Sequence, residues 1–258
     1  MNAHFIFATC QVGTGPLIKQ EVGRDYPGWR LAFSRPGFLT FKLQESIPLT
    51  EDVVLPSVLA RSSGLCLGKV TGETVSQLAA AIWKRVDGEP FDQLHVWQRD
   101  PVKPGLRGFE PHISDEALAA RDELRKQAPC DRAELVGVDV GQAKRGDRVL
   151  DCILVDADQW WVGCHQVSRR IQRWPGGIWT GDRPPEMVAR SYLKMAEALD
   201  WTCWPMKPGQ RCVDLGCAPG GTSQALLDHG LRVVGVDPAV VDPRVVAHQE
   251  FHHVRKRS

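Results

Sequence analysis

Short apolar runs separated by turns of glycine, proline and aspartate set the pattern of this chain. Residues 4–10 read as an apolar strand, 13–16 as a turn and 17–22 as a short helix, with a break at Pro27-Gly28. Residues 29–33 and 37–43 read as two strands around Arg35-Pro36-Gly37, so the first part of the chain runs β-α-β-β, half of a ferredoxin-like unit. Residues 55–67 carry apolar spacing that fits a helix or a strand. Thr74 and Gln77 stand as a capping box before a helix at 78–86. A strand at 94–98 and a loop at 100–111 lead to a helix at 114–128 capped by Ser114. Three strands follow at 135–140, 147–156 and 160–167. Residues 173–185, with three prolines and three glycines, read as a linker. Pro184-Pro185 would then open a helix over 186–199.

Composition narrows the class. A chain of 258 residues with 43% hydrophobic and 24% charged residues is globular and holds one or two domains. A net charge of +1 leaves no global basic signature, so any nucleic-acid contact must come from local patches. The eight cysteines form no C-x-x-C pair, and we expect no metal site. No signal peptide or long apolar run appears, which points to a cytoplasmic protein with reduced thiols and no membrane partner. Nine tryptophans stand against two tyrosines, and Trp160, Trp161, Trp174, Trp179, Trp201 and Trp204 gather in the second half.

The chemistry-bearing segment is Val213-Asp214-Leu215-Gly216-Cys217-Ala218-Pro219-Gly220-Gly221. An apolar run enters a turn of small residues and then helix-forming residues, the first strand–turn–helix of a nucleotide-binding α/β domain. Gly216, Gly220 and Gly221 allow positive φ and close approach of a ligand to the backbone. The next strand, 231–236, ends in Asp237, whose carboxylate can accept hydrogen bonds from a ribose diol.

The spacing D-L-G-x-x-P-G-G resembles motif I of class I S-adenosylmethionine methyltransferases, and more narrowly the FtsJ-type ribose 2′-O-methyltransferases. The segment Arg190-Ser191-Tyr192-Leu193-Lys194 resembles the stretch that precedes motif I in that family. The resemblance makes Lys194 the first member of a Lys-Asp-Lys-Glu tetrad, steering the ribose. Arg190 and Lys194 would share one helix face, with Val188, Met195 and Leu199 toward the core. The order of segments along the whole chain, and Arg35-Pro36-Gly37-Phe38, resemble the RlmM-type members of the family, which methylate a cytidine 2′-hydroxyl in large-subunit ribosomal RNA.

That resemblance implies an α+β amino-terminal region followed by an incomplete α/β, Rossmann-like class I methyltransferase domain. The expected parts are a ferredoxin-like subdomain over 1–70, a THUMP-like RNA-binding subdomain over 71–172, the linker at 173–185 and the methyltransferase domain over 186–258. S-adenosyl-L-methionine is the implied cofactor, contacted by Ser191, Asp214, Gly216, Ala218, Pro219, Gly220, Gly221 and Asp237. The family's adenine-side aspartate has no match, since residues 251–258 hold no carboxylate. Arg169, Arg170, Arg173 and Arg190, interleaved with tryptophans, read equally as an exposed face or as a track for single-stranded RNA.

The remaining tetrad members and the later strands lie beyond Ser258, so we expect a fragment that is inactive alone. The rival reading is a non-catalytic RNA-binding protein with a vestigial methyltransferase fold. A methyltransferase for another substrate is disfavoured by the context of Lys194.

Overall fold

The structure, a computed structural model, describes residues 1–129, 142–181 and 183–257. The strand expected at 135–140 lies outside them. Residues divide into two compact units, Met1–Trp179 and Thr180–Ser258. No helix among the described residues is long and apolar enough to cross a membrane.

The first unit is built on one seven-stranded sheet, ordered β2-β3-β1-β4-β7-β6-β5. Its strands are β1 (Asn2–Cys10), β2 (Arg30–Arg35), β3 (Phe38–Pro48), β4 (Ala60–Thr71), β5 (Gln93–Gln98), β6 (Arg148–Asp156) and β7 (Gln159–Gln166). All neighbours are antiparallel except β5 and β6, which run parallel. The segment that allowed helix or strand is a strand, β4, and it joins the two expected subdomains. It pairs with β1 on one side and β7 on the other, so a boundary at residue 70 falls inside a continuous sheet.

Strand alternation sorts side chains to two faces. On one, Ile6, Ala8, Leu65, Val96, Cys152 and Val162 are buried with the apolar sides of α1 (Gly15–Asp25), α2 (Val75–Arg85) and α3 (Asp115–Lys126). Helices α2 and α3 carry the caps the sequence places there, with Thr74 accepting the Gln77 N–H and Ser114 the Ala117 N–H, and α2 starts at Val75, three residues before the expected 78. On the other face Phe7, Phe38, Cys66, Trp97, Ile153 and Trp161 form a second core. Arg35-Pro36-Gly37-Phe38 is the hairpin between β2 and β3. Arg35 pairs with Phe38, and Gly37 supplies the positive φ of +83° that the turn requires.

The linker reading is corrected in its first half. Residues 170–177 form two 3₁₀ turns, Arg170–Arg173 and Pro175–Gly177, and Trp174 to Ile178 are buried within the first unit. Proline and glycine here serve close packing. A Cβ on Gly176 would lie 2.7 Å from the Trp97 ring, and one on Gly177 would lie 2.6 Å from the Arg61 carbonyl oxygen.

The second unit holds a parallel sheet of β8 (Arg211–Leu215), β9 (Arg232–Val236) and β10 (Phe251–Val254), ordered β10-β9-β8. Helix α4 (Ser191–Thr202) precedes β8, α5 (Gly221–Asp228) joins β8 to β9, and α6 (Pro243–Val246) joins β9 to β10. Leu226, Leu227, Leu231, Val233, Val241 and Val245 form the core, with Val188, Met195 and Leu199 packed against it as their spacing implies. Strand β8 pairs with β9 alone among the described residues, and Val213 and Leu215 on it are 59% and 66% exposed.

Helix α4 starts later than expected, at Ser191 instead of residue 186. Side chains distant in sequence take the backbone groups an earlier start would use. Gln224 Oε1 accepts the Val188 N–H, while Gln224 Nε2 and Arg244 Nη1 donate to the Glu186 carbonyl. Arg190 therefore stands at the N-cap, one residue outside the helix, and does not sit a full turn inside it.

Candidate active site

The loop between β8 and α5 is held from both ends. Buried Asp214, at the end of β8, accepts the Ser223 hydroxyl at 2.7 Å and so ties the strand to the first turn of α5. The Gly216 N–H donates to the Val236 carbonyl, and the Asp242 N–H to the Pro219 carbonyl. Asp237, just after β9, takes the Ala218 N–H on one carboxylate oxygen at 3.1 Å and the Ala239 N–H on the other at 2.8 Å. These amides, Ala239 first, hold its carboxyl below the usual aspartate range.

The three glycines have separate reasons. Gly216, at φ +77°, has nothing within 4 Å of a Cβ position, so its neighbourhood is open to a ligand. Gly220, at φ +124°, is crowded by Val245: a Cβ there would lie 2.9 Å from its Cγ2. Gly221 is crowded by the start of α4, where a Cβ would run into Ser191 Oγ and lie 2.8 Å from the Ala189 carbonyl oxygen. Gly216 is therefore required by its positive φ, Gly220 by positive φ and packing together, and Gly221 by packing alone.

The same crowding brings Ser191 to the loop. Tyr192 is buried and donates its hydroxyl hydrogen to Asp228 at 2.9 Å, so α4 is pinned to α5. Lys194 lies exposed in the first turn of α4. Ser191, Asp214, Ala218, Pro219 and Asp237 thus meet around one loop, with Gly216 facing open space. Cys217 is buried and fills the gap left by Gly235, where a Cβ would lie 2.7 Å from its sulfur.

These residues fit a nucleoside carrying an amino-acid tail. An ionised carboxylate offers about four acceptor positions, and Asp237 uses two on backbone amides, leaving others for a diol. No side chain caps Gly220, and the first-turn amides of α5 have no acceptor within the helix, which suits a carboxylate group.

The arginine track is divided. Arg169 is exposed, Arg170 and Arg173 are half-buried, and Arg173 Nε donates to the Ala143 carbonyl. These three belong to the first unit and Arg190 to the second. Trp160, Trp161 and Trp174 are buried, which removes them as stacking platforms; Trp201 and Trp204 are 60% and 71% exposed.

Sequence reasoning missed a buried polar cluster in the first unit. His95 on β5, Asp151 on β6 and His165 on β7 point to the face opposite the helices, with candidate ligand atoms within 4.8 Å of one another. Its signal was an acid inside the apolar run Val149-Leu150-Asp151-Cys152-Ile153-Leu154-Val155.

Residues 187–256 match the family model described as FtsJ-like methyltransferase. The protein named Ribosomal RNA large subunit methyltransferase M from Xanthomonas campestris pv. campestris is 38% identical over 95% of this chain and 71% of its own length. Proteins of the same name from Aromatoleum aromaticum and Xylella fastidiosa (strain 9a5c) are 33% and 40% identical over 44% and 28% of this chain. Those two matches span only 32% and 22% of the relatives' own lengths. Extent and identity of the Xanthomonas match, together with the loop geometry, settle the affiliation: the chain belongs to the ribosomal RNA large subunit methyltransferase M family.

Proposed function

We propose that this chain carries the cofactor-binding portion of an S-adenosyl-L-methionine-dependent enzyme that methylates a ribose 2′-hydroxyl, on a cytidine of large-subunit ribosomal RNA. The observation that carries this reading is the loop in which Asp237, the open side of Gly216 and the uncapped start of α5 converge. The cofactor supplies an electrophilic methyl group. Asp237 would hold its ribose diol, the amides at Gly220 and Gly221 its carboxylate, and Ser191 with Ala218 and Pro219 the wall between them.

Lys194 takes the steering role. A 2′-hydroxyl is a weak nucleophile near neutral pH, and a charged amine beside it stabilises the oxygen as negative charge develops. Arg169, Arg170, Arg173 and Arg190 would contact phosphates, and the first unit would supply the ferredoxin-like and THUMP-like RNA-binding region. Ribosomal RNA as substrate places the work in the cytoplasm.

Calorimetric titration of the chain with S-adenosylhomocysteine tests the site. Binding that is lost in Asp237→Ala and kept in Lys194→Ala is the expected result. Equal binding by all three proteins would overturn the assignment.

A further inference from the structure

His95 is the odd member of the buried cluster. Its ring is 2% exposed, and neither nitrogen has a hydrogen-bond partner among the described residues. Two unmet ring nitrogens in a core are costly, and a leucine would fill the same space without that cost. The other two members are already oriented as ligands. His165 Nε2 lies 3.1 Å from the Gln172 carbonyl oxygen. A carbonyl only accepts, so Nε2 carries hydrogen, and Nδ1 is the nitrogen turned toward the cluster, 2.6 Å from Asp151 Oδ2. Asp151 Oδ1 accepts the Trp97 indole N–H at 3.3 Å. An imidazole held by a carbonyl through its far N–H, and a carboxylate held by a donor through its far oxygen, are the outer contacts that orient ligands around a metal.

We propose that His95, Asp151 and His165 form a structural Zn²⁺ site, in which the ion joins β5, β6 and β7 beneath the segment of residues 168–178. The ligand atoms are one ring nitrogen of His95, Asp151 Oδ2 and His165 Nδ1, and they lie within 4.8 Å of one another. Zinc bonds of about 2.0–2.2 Å in a tetrahedral arrangement put neighbouring ligand atoms about 3.3 Å apart. That spacing falls between the 2.6 Å of the direct His165–Asp151 contact and the 4.8 Å outer limit, so small ring rotations bring the three into place.

The donor set selects the ion. Two imidazoles and one carboxylate suit Zn²⁺, whereas Mg²⁺ and Ca²⁺ take oxygen ligands. Cys152 and Cys164, next in sequence to Asp151 and His165, lie in the cores on the helical face, so neither brings a sulfur to the set. Zn²⁺ with one carboxylate leaves one positive charge in an apolar core, and a hydroxide in the fourth position cancels it, the ion having lowered the pKa of its water to about 7. The covering segment closes over the site: a Cβ on Gly176 would lie 2.7 Å from the Trp97 ring, and Gln172 holds His165. The ion therefore enters as the unit folds, and its binding energy adds to folding.

Without metal the His95 ring is a cost, so His95→Leu is the variant expected to fold and to lose only the ion. Stability changes at His95 and Asp151 are compared in the metal-free chain, since bound zinc would add its own binding energy to the wild type alone. The test is the zinc content of the full chain, expressed with added zinc, purified without chelator and measured by plasma mass spectrometry. The expected result is stoichiometric Zn²⁺ in the wild type and none in His95→Leu. Partners of metal ligands are worth about 10–100-fold in affinity, so chelator competition should show a loss of at least the upper figure when this ligand is removed. Should His95→Leu not fold, ring ¹⁵N spectra of the wild type with and without zinc decide: shifts at both His95 and His165 support the site, and shifts confined to other histidines overturn it. A wild type without stoichiometric zinc overturns it, as does zinc held equally by His95→Leu.

Discussion

Tyr192 and Asp228 join the helix that carries Lys194 to the helix that opens at the glycine loop. This bond lies away from the loop, yet it sets where the first turn of α4 sits. Tyr192→Phe removes one hydrogen bond and keeps the ring, so we expect a loss of about 1 kcal/mol in the second unit. Urea denaturation of both proteins measures it; an unchanged midpoint would show that the helices are pinned by apolar contacts alone.

Gly221 and Gly216 separate packing from conformation. Gly221→Ala drives a methyl group into Ser191 and the Ala189 carbonyl, at a cost of about 1–3 kcal/mol. Gly216→Ala meets no atom but is held at positive φ, costing about 1–2 kcal/mol. A double-mutant cycle distinguishes them. Ser191→Ala should relieve part of the Gly221→Ala cost and none of the Gly216→Ala cost, whereas additivity in both cycles would contradict the contact.

Asp237 makes the loop sensitive to acid. Its folded-state pKa lies below the ordinary 3.8, so the anchoring of Ala218 and Ala239 is complete above that value and is lost as pH falls through the lowered one. An NMR titration of the two amides should show a common inflection below 3.8 that Asp237→Asn abolishes. An inflection at or above that value would contradict the assignment.

His95 and Asp151 should respond in opposite ways. His95→Leu deletes two buried nitrogens without partners, and the expected change is neutral or stabilising, by up to about 1–3 kcal/mol. Asp151→Asn disturbs the buried hydrogen bonds that its carboxyl makes with His165 and the Trp97 indole, a loss of about 1–3 kcal/mol. Chemical denaturation followed by fluorescence of the buried tryptophans reads both.

Most of the strand pattern is legible in the sequence, because short continuous apolar runs such as β1 and β7 mark strands buried on both faces. The glycine loop is legible too, since its spacing and the carboxylate after β9 are local features. The start of α4 is not: Gln224 and Arg244, which take its backbone groups, act from more than thirty residues away. Nor does a count of tryptophans show that Trp161 and Trp174 lie inside while Trp204 lies outside. The His95–Asp151–His165 cluster comes from three strands, and only the acid inside the apolar run of β6 hints at it. Pro175-Gly176-Gly177 reads as a linker because the same residues that break regular structure also permit a tight seat on a sheet.

The strand order of the first unit carries a consequence for how the chain is made. β1 leaves the ribosome before the other strands of this sheet and lies inside it, yet Leu65 on β4 waits for Cys164 on β7, far along the chain. Until then β4 offers a bare row of backbone groups to any passing extended peptide. Pairings this distant in sequence make for slow folding, and the nascent chain spends that interval exposed to wrong partners. The interval between synthesis of β4 and synthesis of β7 is therefore the stage at which this sheet is most open to misassembly.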